Sequence, residues 1–143
     1  MRVHLMRPNA KMPGMDAERT VIERWRSLAT SYNAIAGRLD RALQEGHGLT
    51  LSEFETLERL VELGCDKQRM QEVSARMYLS QSALSRTVGR LEKQGLVERA
   101  LCTADRRGIF VKITEAGQAR HAAALATHRA IVADQLGADA ALS

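Results

Sequence analysis

Aromatic side chains are nearly missing from this chain, which has one Trp, two Tyr and two Phe among 143 residues. Its core must therefore be aliphatic, drawn from Leu, Val, Ile, Met and abundant Ala. Cysteine is as scarce. Cys65 and Cys102 make no disulfide framework, which favours a reducing compartment. No apolar run is long enough to span a bilayer, and residues 1–15 lack the central apolar stretch of a secretion signal. The expectation is a cytoplasmic chain with no membrane partner.

Catalytic signatures are missing too. The sequence holds no phosphate loop, no His-x-x-x-His zinc pair and no Ser or Cys nucleophile motif. His121 and His128 share a helix face but stand about 10 Å apart in rise, too far to hold one metal ion together. His4 and His47 have no evident companions. All are expected as surface histidines, and no enzyme, metal or cofactor is expected.

What is present is an uneven charge distribution. The chain is only +4 overall, yet residues 67–112 carry ten basic residues against Glu72, Glu92, Glu98 and Asp105. A basic middle between near-neutral ends is the footprint of a polyanion-binding module, though a solvated face would look the same.

Inside that segment lies the most informative stretch, Leu79–Val97. Ser80 is placed to cap a helix. Leu84, Val88 and Leu91 fall at i, i+4 and i+7 on one face, a stripe that must be buried. Ser82, Arg86 and Lys93 point the opposite way, with Ser85 and Arg90 on the flanks. Gly95 sits where a helix ends in the left-handed conformation. A helix anchored along its back, with Ser, Gln and Arg in front, suits a DNA major groove.

The surroundings fit. Residues 1–15, with Pro8 and Pro13, read as a loose basic arm. Residues 16–45 repeat apolar positions every three to four residues, through Val21, Trp25, Leu28, Tyr32, Ile35, Leu39 and Leu43. Such a helix is roughly 45 Å long, and a seam of that length usually finds a partner helix. After Gly46–His47–Gly48, Ser52 and Glu55 make a capping box for a helix burying Phe54, Leu57 and Leu60. Glu55, Glu58 and Glu62 read as its solvated stripe. A short helix from about Met70 to Met77 precedes the basic one, which gives a helix-turn-helix. Val97–Leu101 and Ile109–Ile113 form a hairpin with a charged tip, read as a wing that places arginine in a minor groove. Thr114 caps a last helix, Glu115 to about Leu136, carrying Leu125, Ile131 and Val132; Gly137 ends it.

Three stretches together resemble the MarR (multiple antibiotic resistance regulator) family of winged helix-turn-helix regulators. They are Leu79–Arg86 running into Leu91–Val97, the wing Asp105–Arg106–Arg107–Gly108 followed by Val111–Thr114, and the order of elements around them. The resemblance covers roughly residues 20–136. It implies a mainly α fold with a small β-hairpin wing (α+β) and long N- and C-terminal dimerisation helices. The expected divisions are an arm (1–15), a dimerisation helix (16–45), a DNA-binding domain (49–114) and a C-terminal dimerisation helix with its tail (115–143).

The resemblance further implies a homodimer that grips double-stranded DNA at a pseudo-palindromic operator, with half-sites roughly 34–36 Å apart. Ser80, Gln81, Ser82, Ser85, Arg86, Thr87 and Arg90 are the expected DNA-binding residues of the helix. Arg107, braced by Asp105 and beside Arg106, is the expected wing contact. Trp25, Leu28, Tyr32, Ile35, Leu39, Leu125, Ile131 and Val132 are expected at the dimer seam. The family usually closes its dimer with a further helix beyond the last one here, so either the seam 16–45 and the arm carry more of the interface or the dimer is weaker than usual.

Family members often respond to small aromatic acids, which would make this chain a repressor relieved by a small-molecule effector. Trp25 and Tyr32 could floor such a pocket, although seam packing explains them equally well. Thiol sensing through Cys65 or Cys102 is a weaker option. A non-specific architectural DNA-binding protein, or a winged helix turned to a protein partner, is the alternative.

Overall fold

The computed structural model describes the backbone of residues 7–102 and 105–142 and the side chains of residues 14–100 and 108–137. Five helices and three strands follow in the order α1 (Arg7–His47), α2 (Leu51–Glu62), β1 (Gln68–Arg69), α3 (Met70–Ala75), α4 (Gln81–Lys93), β2 (Val97–Cys102), β3 (Asp105–Ile113) and α5 (Glu115–Leu142). The fold is mainly α with a three-stranded antiparallel sheet in the order β1-β3-β2. None of the described helices is long and apolar enough to cross a membrane.

The chain divides into two compact units, Met1–Gly37 and Arg38–Ser143. The first is helical from Arg7 onward, earlier than the expected start at Asp16. Pro8 falls in its first turn, where backbone N–H groups have no intrahelical acceptor and proline is tolerated. Val21, Trp25, Leu28 and Tyr32 stand 61–68% exposed on this unit.

The second unit holds the core. Leu39 and Leu43 from the end of α1, Phe54, Leu57 and Leu60 from α2, Val73 from α3, and Leu84, Val88 and Leu91 from α4 are all buried. Leu49, Leu96, Val97, Val111, Ile113, Ala124 and Ile131 complete it among the described residues. The inward side expected for β3, Ile109, Val111 and Ile113, holds only in part: Val111 and Ile113 are buried and Lys112 is exposed, but Ile109, nearer the tip, is 41% exposed.

Local chemistry explains the joints. Gly95 adopts φ +75°, and Leu96 N–H bonds to the Leu91 carbonyl at 3.0 Å, so α4 ends in the left-handed turn its sequence demands. Thr114 caps α5 by accepting from Gly117 N–H at 3.0 Å, and its hydroxyl donates to the Gly95 carbonyl at 2.7 Å. One side chain thus ties the end of α4 to the start of α5. Gly117 permits the approach, because a Cβ there would stand 2.1 Å from the Leu96 carbonyl oxygen.

Several expectations change. The capping box of α2 is Thr50 with Glu53, two residues before Ser52 and Glu55. Thr50 prevails because Asp40 of α1 accepts from Leu51 N–H at 2.8 Å, which fixes the chain one residue after the cap. The pair β1, unseen in the sequence pattern, adds a third strand beside β3. Helix α3 stops at Ala75, short of Met77. Gly137 does not end α5, which runs to Leu142; the Ala-rich residues around it outweigh a cost of about 1 kcal/mol for a mid-helix glycine.

The glutamate stripe is corrected most. Glu58 is buried and bonded by Arg129 Nη2 at 2.8 Å, and it lies 3.2 Å from His121 Nε2. His121 is buried as well, and Phe54 stacks against both His121 and His128, at 5.1 and 4.6 Å between ring centres. These two histidines are parts of the α2–α5 packing, not surface groups. Burial alone would push the Glu58 carboxyl up, but the hydrogen bonds from Arg129 and His121 outweigh it and hold the group below its ordinary value. Burial and the neighbouring Arg129 cation lower the pKa of His128.

Candidate nucleic-acid interface

Helix α4 is presented by its own sequence. Ser80 has extended backbone angles and accepts from Ala83 N–H at 3.1 Å. Leu84, Thr87, Val88 and Leu91 are its buried face. Gln81, Ser82, Ser85, Arg86 and Lys93 are exposed on the rest. Among the described residues no hydrogen bond or ion pair holds Arg86. Of the two guanidinium groups on this helix, it is the one that no carboxylate of the described residues pairs with.

Two expected DNA-binding residues are placed otherwise. Thr87 is 2% exposed, and its hydroxyl donates to the Ala83 carbonyl at 2.9 Å. It belongs to the back of the helix, because position 87 lies next to Leu84 and Leu91 in helical angle. Arg90 leans toward α2, where Nε bonds to Glu53 Oε2 at 3.1 Å and Nη2 donates to Thr87 Oγ1 at 3.2 Å. Glu53 thus closes the cap of α2 with one carboxylate oxygen and grips α4 with the other. Arg90 stays half-exposed but carries its counter-charge with it.

The wing is in place as a ladder. Val97–Leu101 of β2 pair antiparallel with Ile109–Ile113 of β3, and an irregularity at Leu101/Cys102 precedes the turn. Asp105, Arg106 and Arg107 open β3, but their side chains, like that of Cys102, lie outside the described residues. Between β1, the front half of α4 and the base of the wing lies a cavity of about 350 Å³, lined by Arg69, Met70, Gln81, Ser82, Ser85 and Ile109 among others. Lys67 and Arg69 lie over the Phe110 ring at 5.3 and 5.2 Å, a basic and aromatic patch the sequence pattern did not reveal.

Of the expected seam residues, Trp25, Leu28 and Tyr32 are exposed and Ile35 is half-buried. Leu39 and Ile131 are buried within their own unit, at 5% and 7% exposure, which removes them from a surface seam. Leu125 and Val132 are half-buried on α5.

The comparisons with known proteins meet this geometry. The model of the MarR family matches residues 47–108. Sco3205, a MarR family transcriptional regulator from Streptomyces coelicolor solved in complex with DNA, is 31% identical, with 83% of this chain and 73% of that one covered at a TM-score of 0.74. AbsC, a MarR family transcriptional regulator from the same organism, is 32% identical over 78% of this chain and 75% of its own, at a TM-score of 0.71. This chain belongs to the MarR family. The transcriptional regulator BldR from Sulfolobus solfataricus is similar at 25% identity, 82% and 83% coverage and a TM-score of 0.73.

As a MarR family member the chain is a DNA-binding transcriptional regulator, and its winged helix-turn-helix supplies the surface. Helix α3, the turn through Tyr78 and the capped α4 form the motif, and β2 with β3 forms the wing. Tyr78, 99% exposed at that turn, stands just ahead of the Ser80 cap.

Proposed function

We propose that this regulator is a homodimeric, sequence-specific repressor whose two α4 helices enter successive major grooves of a pseudo-palindromic operator. The observation that carries the reading is the front of α4, where Ser82, Arg86 and Lys93 face outward and, among the described residues, no counter-charge pairs with Arg86. Arginine is the side chain suited to bidentate readout of guanine. Ser80, Gln81, Ser82 and Ser85 supply shorter contacts, most of them to phosphate. Arg107, with Arg106 and Asp105 beside it, is assigned to the minor groove. The seam through Trp25, Leu28 and Tyr32 pairs two copies, since 63–68% exposure of three large apolar side chains is costly for a solitary helix.

A small aromatic acid is the proposed effector. The cavity beside α4 is of the right size for one, and a ligand there would occupy the same side of α4 that meets the operator. Sco3205 was solved with DNA, which supports the first half of this reading.

Selection of bound duplexes from a random pool tests it. One palindromic sequence should emerge, with half-sites about 34–36 Å apart and a preference over random duplex of at least ~10³-fold. Adding a panel of aromatic acids should release the duplex for at least one of them. Equal affinity for every duplex would replace the repressor with an architectural DNA-coating protein.

A further inference from the structure

Arg99 lies on the inward side of β2, two residues after buried Val97, where alternation calls for an apolar side chain. Its side chain crosses onto α4. Nη2 donates to the Ser85 carbonyl at 3.0 Å, and it would lie 3.6 Å from a Cβ placed on Gly89. Ser85 and Gly89 are one turn apart, directly beside the outward line of Ser82, Arg86 and Lys93. The guanidinium therefore sits along the edge of the surface that α4 offers to a duplex.

Its electrostatic situation differs from that of Arg90 on the other flank. Glu53 neutralises Arg90. Among the described residues no carboxylate pairs with Arg99, although Glu92 and Glu98 line the groove beside it. Arg99 Nε is buried with no hydrogen-bond partner. A half-buried cation without a counter-charge, and a donor without an acceptor, both cost free energy in the unbound chain. An anion arriving at this edge supplies the missing counter-charge.

We infer that Arg99 is a phosphate-contacting residue, with a DNA backbone oxygen taking the place of the absent carboxylate. Gly89 leaves the guanidinium room at this edge, since even a Cβ there would come into van der Waals contact with Nη2. The contact positions the wing and α4 together on the duplex and carries no sequence information. It rests on the reading of α4 as the helix that meets DNA.

The test follows duplex affinity across roughly 50–200 mM salt for the wild type, Arg99→Gln and Arg99→Lys, on the selected duplex and on random DNA. Arg99→Gln should weaken both duplexes by the same factor and lower the slope of log K against log salt by about 0.9 per occupied half-site. Arg99→Lys should restore the slope. An unchanged slope, or a loss confined to the selected duplex, overturns the assignment while leaving the regulator reading intact. Wild-type protein that binds no duplex overturns both. If Arg99→Gln melts early, Gly89→Asp provides the second route by placing a carboxylate beside the guanidinium in a folded chain. It should lower the slope similarly, and an unaltered slope there also overturns the assignment.

Discussion

The two compact units treat their apolar side chains in opposite ways. In Arg38–Ser143, leucines and valines from α1, α2, α3, α4 and the sheet reach 0–5% exposure. In Met1–Gly37, Val21, Trp25, Leu28 and Tyr32 stand above 60% exposure on a helix with the same apolar period. One periodic pattern thus serves two ends, and sequence alone does not divide it. The division falls within α1, between half-buried Ile35 and buried Leu39. It teaches that a heptad seam read as continuous is, in the folded chain, an outward stretch followed by an inward one.

Paired substitutions break the comparison most sharply. Leu39→Asp puts a charge into the core and should cost about 4 kcal/mol or more, enough to unfold the second unit in a urea titration. Leu28→Asp, one stretch earlier in the same pattern, should leave that unit folded and yield monomers by light scattering. A Leu28→Asp protein that stays dimeric would move the interface elsewhere.

Gly117→Ala ranks next. Its Cβ would meet the Leu96 carbonyl oxygen at 2.1 Å and Ile113 Cγ1 at 2.7 Å, both packed parts of the wing and its approach. A loss of about 3 kcal/mol is expected in urea midpoints, with α5 separating from the sheet first in hydrogen exchange.

The smallest effect concerns acid. His128 titrates below its ordinary value in the fold because of burial and Arg129, so the folded state favours the neutral ring. Its contribution is complete above pH 6.5 and is lost as pH falls toward the lowered folded value, since the unfolded chain takes up the proton first. Glu58, also lowered, adds a second loss in the same direction below pH 4.5. Thermal melts should therefore decline below pH 6.5, and His128→Gln should flatten the upper part of that decline. A wild-type profile level down to pH 5 would contradict the assignment.

What was legible in the sequence is local. The Ser80 cap, the Leu84–Val88–Leu91 stripe and the Gly95 exit of α4 each depend on residues within a few positions of one another, and the structure reproduces them. The two-residue shift of the capping box shows where locality fails. Thr50–Glu53 and Ser52–Glu55 both satisfy the motif, and the choice was made by Asp40, ten residues before Thr50. Glu58 and Arg90 depart from their single-helix patterns for the same reason. Their partners, His121, Arg129 and Glu53, come from other elements, so their burial or pairing is absent from any single-helix pattern.

The short polar links around α2 carry a mechanical consequence. Asp40 near the end of α1 holds the first turn of α2, and Glu53 in that same turn holds Arg90 on α4. The last turns of α1 are therefore tied to α4 through two carboxylates as well as through the shared apolar core.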